Sequence, residues 1–286
     1  MVVVICSSSL VAKSRQALTS MLRDFKAAFA KHGLTMNVDK CFVQSNRTYK
    51  NPPKPIVIEG QDMQWKSPAE GFKVLGTQFT LEGGTSAELE ARLAAAWSKF
   101  YSLKSVLCRK TASISKRLRL LHNTVGPTLL WCAESWSVSK KERLQIKTLQ
   151  NAMLRRIVPC SRAYEEPWVD WLRRHTHKAR AHLDAARLPC WYELSWRRKW
   201  AWAGTLTQMP QQSWPRKLTF WRDVEWQHDE KGEASRPKHR QRGRPVRWED
   251  DIWAYIDAKE LGSWAELAST PMLWNAHANG FLDYHK

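Results

Sequence analysis

The continuous apolar run Val2 to Cys6 predicts a strand with both faces covered, ended by Ser7, Ser8 and Ser9. Leu18, Met21, Leu22, Phe25 and Phe29 then recur at helical spacing, and this amphipathic helix is expected to stop near His32 and Gly33. The stretch GLTMNVDKC, Gly33 to Cys41, alternates apolar and polar residues, as a turn followed by a short strand with Asp39 and Lys40 at its end. After Pro52, Pro53 and Pro55, IVIEGQDMQW places two apolar stretches around Glu59, Gly60 and Gln61, as in a hairpin. FKVLGTQFT, Phe72 to Thr80, reads as a further strand, in which Gly76 marks a bulge or the close approach of another backbone.

Past Gly83 and Gly84 the spacing becomes helical. Thr85 with Glu88 forms a capping-box pattern, and Leu89, Leu93, Trp97, Phe100, Leu103 and Leu107 fall on one face. A second helix is expected over Ser113 to Asn123, with Pro127 starting a third that carries Trp131 and Trp136. Ser139 with Glu142 makes another capping box, with Leu144, Leu149, Met153 and Ile157 inside its helix and Arg155 and Arg156 outside. Beyond Pro159, WVDWLRRHTHKARAHL and WYELSWRRKWAWAG interleave Trp with Arg, Lys and His, which sets a boundary near Pro159 to Arg162. The expected fold class is α+β and mostly helical. Residues 1–84 would form a small sheet with one helix, 85–160 a helical bundle, and 161–286 a basic, Trp-rich helical region.

Charge narrows the function. The chain has 286 residues and a formal net charge of +19, which calls for a polyanionic partner, with nucleic acid foremost. Its 17 Trp give it more apolar surface than a disordered basic tail carries, so it is expected to fold. The six cysteines are scattered without a CxxC pair, as reduced thiols of an intracellular protein, nuclear or cytoplasmic and not secreted. The first residues lack the basic start and the long apolar run of a secretory signal, and no stretch is long enough to span a bilayer. Cys160, His175, His177, His182 and Cys190 lack zinc-ligand spacing, and His175 and His177 read as surface residues of a basic helix.

In sequence order, several blocks together resemble the downstream half of a non-LTR (LINE-type) retrotransposon reverse transcriptase. They are VVVICSSS, the helix with Phe25 and Phe29, GLTMNVDKC, the hairpin before FKVLGTQF, LEARLAAAWSKFYSLKSVL, PTLLWCAESWSVSKKERLQIKTLQNAMLRRIV and RGRPVRWEDDI. The resemblance implies a partial palm over 1–84, a thumb over 85–160 and a basic tail. It also implies that VVVIC follows the turn holding the paired catalytic aspartates, which would precede Met1. Nucleotidyl transfer needs carboxylates that hold two cations about 3.5–4 Å apart, and Asp39 beside Lys40 cannot rebuild that site. The family's Mg2+ would therefore have no ligands here, and the chain alone is expected to be inactive as an RNA-directed DNA polymerase. A separate polypeptide supplying palm and fingers is one way the activity could be restored.

Within that resemblance Lys40 is the lysine that assists the pyrophosphate leaving group, and FKVLGTQF, with Gly76, is the primer-grip hairpin. Lys104, Arg109, Lys110, Lys116, Arg117 and Arg119 become candidate phosphate contacts of a thumb on a template-primer duplex of RNA, DNA or both. Read from the residues, Arg197, Arg198 and Lys199 among Trp191, Trp196, Trp200 and Trp202 either pair phosphate contacts with base stacking or belong to a core. Arg242, Arg244 and Arg247 lie in a basic loop before a helix capped by Glu249, Asp250 and Asp251, and RGRP also resembles an AT-hook core. A stand-alone nucleic-acid-binding protein and a relic without function remain the alternatives.

Overall fold

The protein is described here by a computed structural model covering residues 2–5, 8–45, 54–58, 60–67, 69–81, 85–220 and 247–285, with only the backbone for Val2–Ile5 and Ser8. The chain divides into two compact units, Met1–Ala91 and Arg92–Lys286. Its described residues are mostly helical, with small sheets in the first unit.

In that unit β1 (Val2–Ile5) and β2 (Ser8–Val11) form an antiparallel hairpin. The second and third serines thus open a strand rather than ending one. Strand β3 (Cys41–Gln44) pairs antiparallel with the other edge of β1, and β6 (Gln64–Lys66) pairs parallel with β3, giving the order β2-β1-β3-β6. β1 therefore has a neighbour on both sides.

Helix α1 (Arg15–Lys31) is capped by the Ser14 side chain, which accepts from Ala17 N, and it ends at His32 and a positive-φ Gly33, as the spacing required. Its buried Leu18 and Leu22 join Cys41 and Val43 in one core cluster, while Phe42 turns to the other face and meets Phe72 at 5.4 Å between ring centroids. β3 is buried along its whole length. Asp39 and Lys40 lie in a 3-10 turn (Val38–Lys40) that precedes this strand, not at its end.

The hairpin β4 (Val57–Ile58) and β5 (Gln61–Asp62) turns at Gly60, as expected. FKVLGTQF is two strands, β7 (Phe72–Val74) and β8 (Thr77–Phe79), instead of one bulged strand. Leu75 and Gly76 both take positive φ, 49° and 84°, the two-residue turn whose twist suits a hairpin.

Helix α2 (Ser86–Ser102) carries the boundary between the units, and the second continues with α3 (Lys104–Leu107), α4 (Ile114–Leu129) and α5 (Lys140–Ile157). Pro127 does not start a new helix. It lies within α4, whose Leu121, Val125 and Leu129 are buried on either side of it, and this packing outweighs the one backbone bond a proline removes. The capping box at Ser139 and Glu142 is present in both halves. Leu144, expected inside, is 64% exposed, because it faces away from the stripe of Glu142, Ile146, Leu149 and Met153.

α6 (Trp168–Ala185) packs along α5, so the expected boundary at Pro159 to Arg162 falls within one compact unit. α7 (Trp191–Gln208) is the central helix of the remainder, followed by α8 (Trp214–Phe220), α9 (Asp250–Ala258), α10 (Trp264–Ser269), α11 (Pro271–Ala276) and α12 (Ala278–Tyr284). Trp191, Trp196 and Trp200 are buried, so of the two readings of the tryptophans it is the core that holds. Trp200 and Trp274 stack at 3.7 Å and 2°, and each indole N–H donates to the other residue's carbonyl at 2.9 Å. Gly204 permits this approach, since a Cβ there would stand 2.6 Å from the Trp274 indole nitrogen.

Candidate nucleic-acid interface

The basic residues divide into those that build the second unit and those it presents to solvent. Arg117 belongs to the first group. It is buried, and its Nη1 donates to Leu107 O at 3.2 Å and Ile157 O at 2.8 Å, the last residues of α3 and α5. The exposed carbonyls and negative dipole end of a helix C-terminus attract a cation, and here one guanidinium serves two of them. Arg117 is thus withdrawn from phosphate contact, against expectation.

Lys199 is withdrawn from solvent in the same way, against expectation. Its side chain is 3% exposed, and Nζ donates to Asp251 Oδ2 at 2.9 Å and to Trp136 O at 3.3 Å. Burial pushes its pKa down, an effect the Asp251 carboxylate opposes. Half-buried Arg198 donates to Leu130 O at 2.6 Å, satisfying the C-cap of α4, so it too has a structural task. Arg197 is exposed. Arg247 is half-buried and paired with Glu249 at 2.9 Å, whereas Arg242 and Arg244 lie outside the described residues. Asp250 accepts from the Arg247 backbone N–H at 2.7 Å and Asp251 turns inward to Lys199 and Arg143, so the acidic cluster anchors the start of α9, while Glu249 at its N-cap makes no side-chain capping bond, against expectation.

In the first unit, Lys40 is exposed, and Gly76 occupies a hairpin turn. Two histidines also depart from expectation in part: His177 is exposed, but His175 is buried and its Nε2 lies 2.7 Å from Val158 O.

Lys104, Arg109, Lys110, Lys116 and Arg119 are all exposed, on α3, the following turn and the start of α4. The sequence has no Asp or Glu between Glu90 and Glu134, so no carboxylate of their own segment accompanies them. Beside them lies an aromatic platform that the sequence reading did not identify. The Trp97 and Tyr101 rings stack at 5.6 Å and 26°, and the Arg156 guanidinium sits 4.7 Å from the Trp97 centroid. Tyr101 is 51% exposed. Cys108 Sγ donates to Arg156 O at 3.6 Å, which brings the end of α3 to the end of α5 and so joins platform and basic corner. The signals that could have found this surface are the acid-free segment and Tyr101, one residue off the buried Phe100 stripe.

No helix among the described residues is long and apolar enough to cross a membrane. Comparison with protein-family models, curated proteins and solved structures gives no match for this chain.

Proposed function

We propose that the second unit binds nucleic acid on the face where α2, α3, the start of α4 and the end of α5 meet. The observation that carries this reading is the stacked Trp97, Tyr101 and Arg156 beside exposed Lys104, Arg109, Lys110, Lys116 and Arg119 in an acid-free stretch. Cations without carboxylate partners take phosphates, and a half-exposed tyrosine beside them offers a base a flat partner. The rigid scaffold beneath, tied by Arg117, holds both in one orientation.

The resemblance to the thumb of a non-LTR reverse transcriptase supports the same assignment, since these helices are the ones it aligns with the thumb. On that reading the chain derives from an RNA-directed DNA polymerase and holds a template-primer duplex. On the same reading Lys40 and the Gly76 hairpin belong to the polymerising site rather than to this face.

The test is fluorescence anisotropy of the full chain with labelled single-stranded DNA, duplex DNA and an RNA–DNA hybrid across a salt series. Each phosphate contact contributes about 0.7–0.9 to the slope of log K against log salt, so replacing the five exposed cations by Gln should flatten the slope by about 3.5–4.5. A slope unchanged by those substitutions would sink the proposal.

A further inference from the structure

A groove of about 470 Å³ runs between α5 and α6. Its walls carry Arg155 and Asn151 from α5 and Arg173, Thr176, His177 and Arg180 from α6. The spacing explains the arrangement: residues 173, 176, 177 and 180 recur as one stripe of α6, and 151 and 155 as one stripe of α5. The helices pack through the neighbouring stripe of His175, Ala179 and Leu183, which leaves the polar stripes facing each other across the groove.

Among the described residues no carboxylate lines this groove. Arg155 Nη1 donates to Thr176 Oγ1 at 2.9 Å, and that hydroxyl donates onward to Leu172 O at 2.7 Å, so the guanidinium is fixed by a neutral acceptor. Arg180 Nε is fixed likewise by Asn151 Oδ1 at 3.0 Å. Arg173 meets Asp170 at 3.5 Å, but both side chains are largely exposed, and such a pair holds little energy. Burial and the adjacent Arg156 charge push the Arg155 pKa down, which marks a cation held in place without its counter-charge.

We propose that the α5–α6 groove binds a phosphoryl group through Arg155, Arg173 and Arg180. Guanidiniums oriented by neutral acceptors keep their remaining N–H donors for an anion, and arginine matches phosphate oxygens two at a time. The choice of a nucleic-acid phosphate as ligand rests on the function proposed above; the groove itself does not. Arg155 and Arg156 are consecutive, one facing the groove and the other the aromatic platform, so a strand lying on the platform has a phosphoryl site within reach around the end of α5.

Anisotropy with oligonucleotides bearing a 5′-phosphate or a 5′-hydroxyl tests this against the double variant Arg173→Ala, Arg180→Ala. Both residues are exposed, so the thermal unfolding of the variant should match the parent. A phosphorylated end as the source predicts tighter binding of the 5′-phosphate form, by about 10-fold or more, and loss of that preference in the variant. A backbone diester as the source predicts equal weakening of both forms. The proposal is overturned if the variant binds both as the parent does. If the parent binds no oligonucleotide, titration with inorganic phosphate decides: shifts of the Arg155 Nε resonance, absent in the variant, uphold the groove, and no shift removes it.

Discussion

Arg117 Nη1 lies 2.8 Å from the carbonyl oxygen of Ile157, forty residues away, and the same nitrogen reaches Leu107 O. One side chain thus closes the ends of α3 and α5. Replacing it by Met leaves both carbonyls buried without that donor, and the expected loss is about 2–4 kcal/mol in urea unfolding. Arg117→Lys should recover part of this, because an ammonium can still reach one carbonyl. Gln at exposed Lys116, next in sequence, should change stability by less than about 0.5 kcal/mol. Equal effects at the two positions would contradict the assignment.

Tyr101 separates stacking from charge. Tyr101→Ala should weaken single-stranded DNA binding by about 1–3 kcal/mol while leaving the salt slope unchanged, whereas Tyr101→Phe keeps the ring and should bind as the parent. A loss of the same size in Tyr101→Phe would mean that the hydroxyl, not the ring, makes the contact.

Lys199 and Asp251 make an asymmetric pair. Asp251→Asn leaves a buried ammonium without its carboxylate and should cost about 3–5 kcal/mol. Lys199→Met removes the buried cation and leaves Asp251 with Arg143, 3.5 Å away on the wetter side, so its cost should be smaller. Denaturant titration of the two single variants gives the order directly, and the reverse order would refute it.

Acid should destabilise the second unit. Burial, aided by the Arg198 charge, lowers the pKa of His122 from 6.5, and burial against Trp196 lowers that of His285. Above about pH 6.5 both are neutral whether folded or not. Below it the unfolded chain takes up protons first, so stability falls with pH until the folded state is protonated as well. The midpoint of thermal unfolding should therefore drop between pH 7 and pH 5, and His122→Gln should drop less steeply. A flat profile in the parent would dismiss both histidines.

The elements that local chemistry defines were legible in the sequence: the Ser139 and Glu142 capping box, the Gly33 helix stop, the turn at Gly60. What was hidden were the places where packing overrules residue type. Arg117 stands one helical turn before Leu121, Val125 and Leu129, and His175 one turn before Ala179 and Leu183. Lys199 likewise falls between Trp196 and Ala203 on the buried face of α7. Periodicity placed all three inside, while their charge or polarity argued for the surface. Pro127 erred in the same direction, a breaker held straight by its neighbours. Lys104, Arg109, Lys110, Lys116 and Arg119, read as candidate phosphate contacts, are exposed, but the platform beside them depends on α5 returning to α2, which no local pattern encodes.

The parallel indoles of Trp200 and Trp274 also form a coupled chromophore. Two transition dipoles held this close interact, and their absorption should differ from that of the other 15 tryptophans (17 less two). Because one ring rides on α7 and the other on α11, that difference vanishes when the C-terminal helices leave α7, and the chain carries an optical gauge of its own assembly.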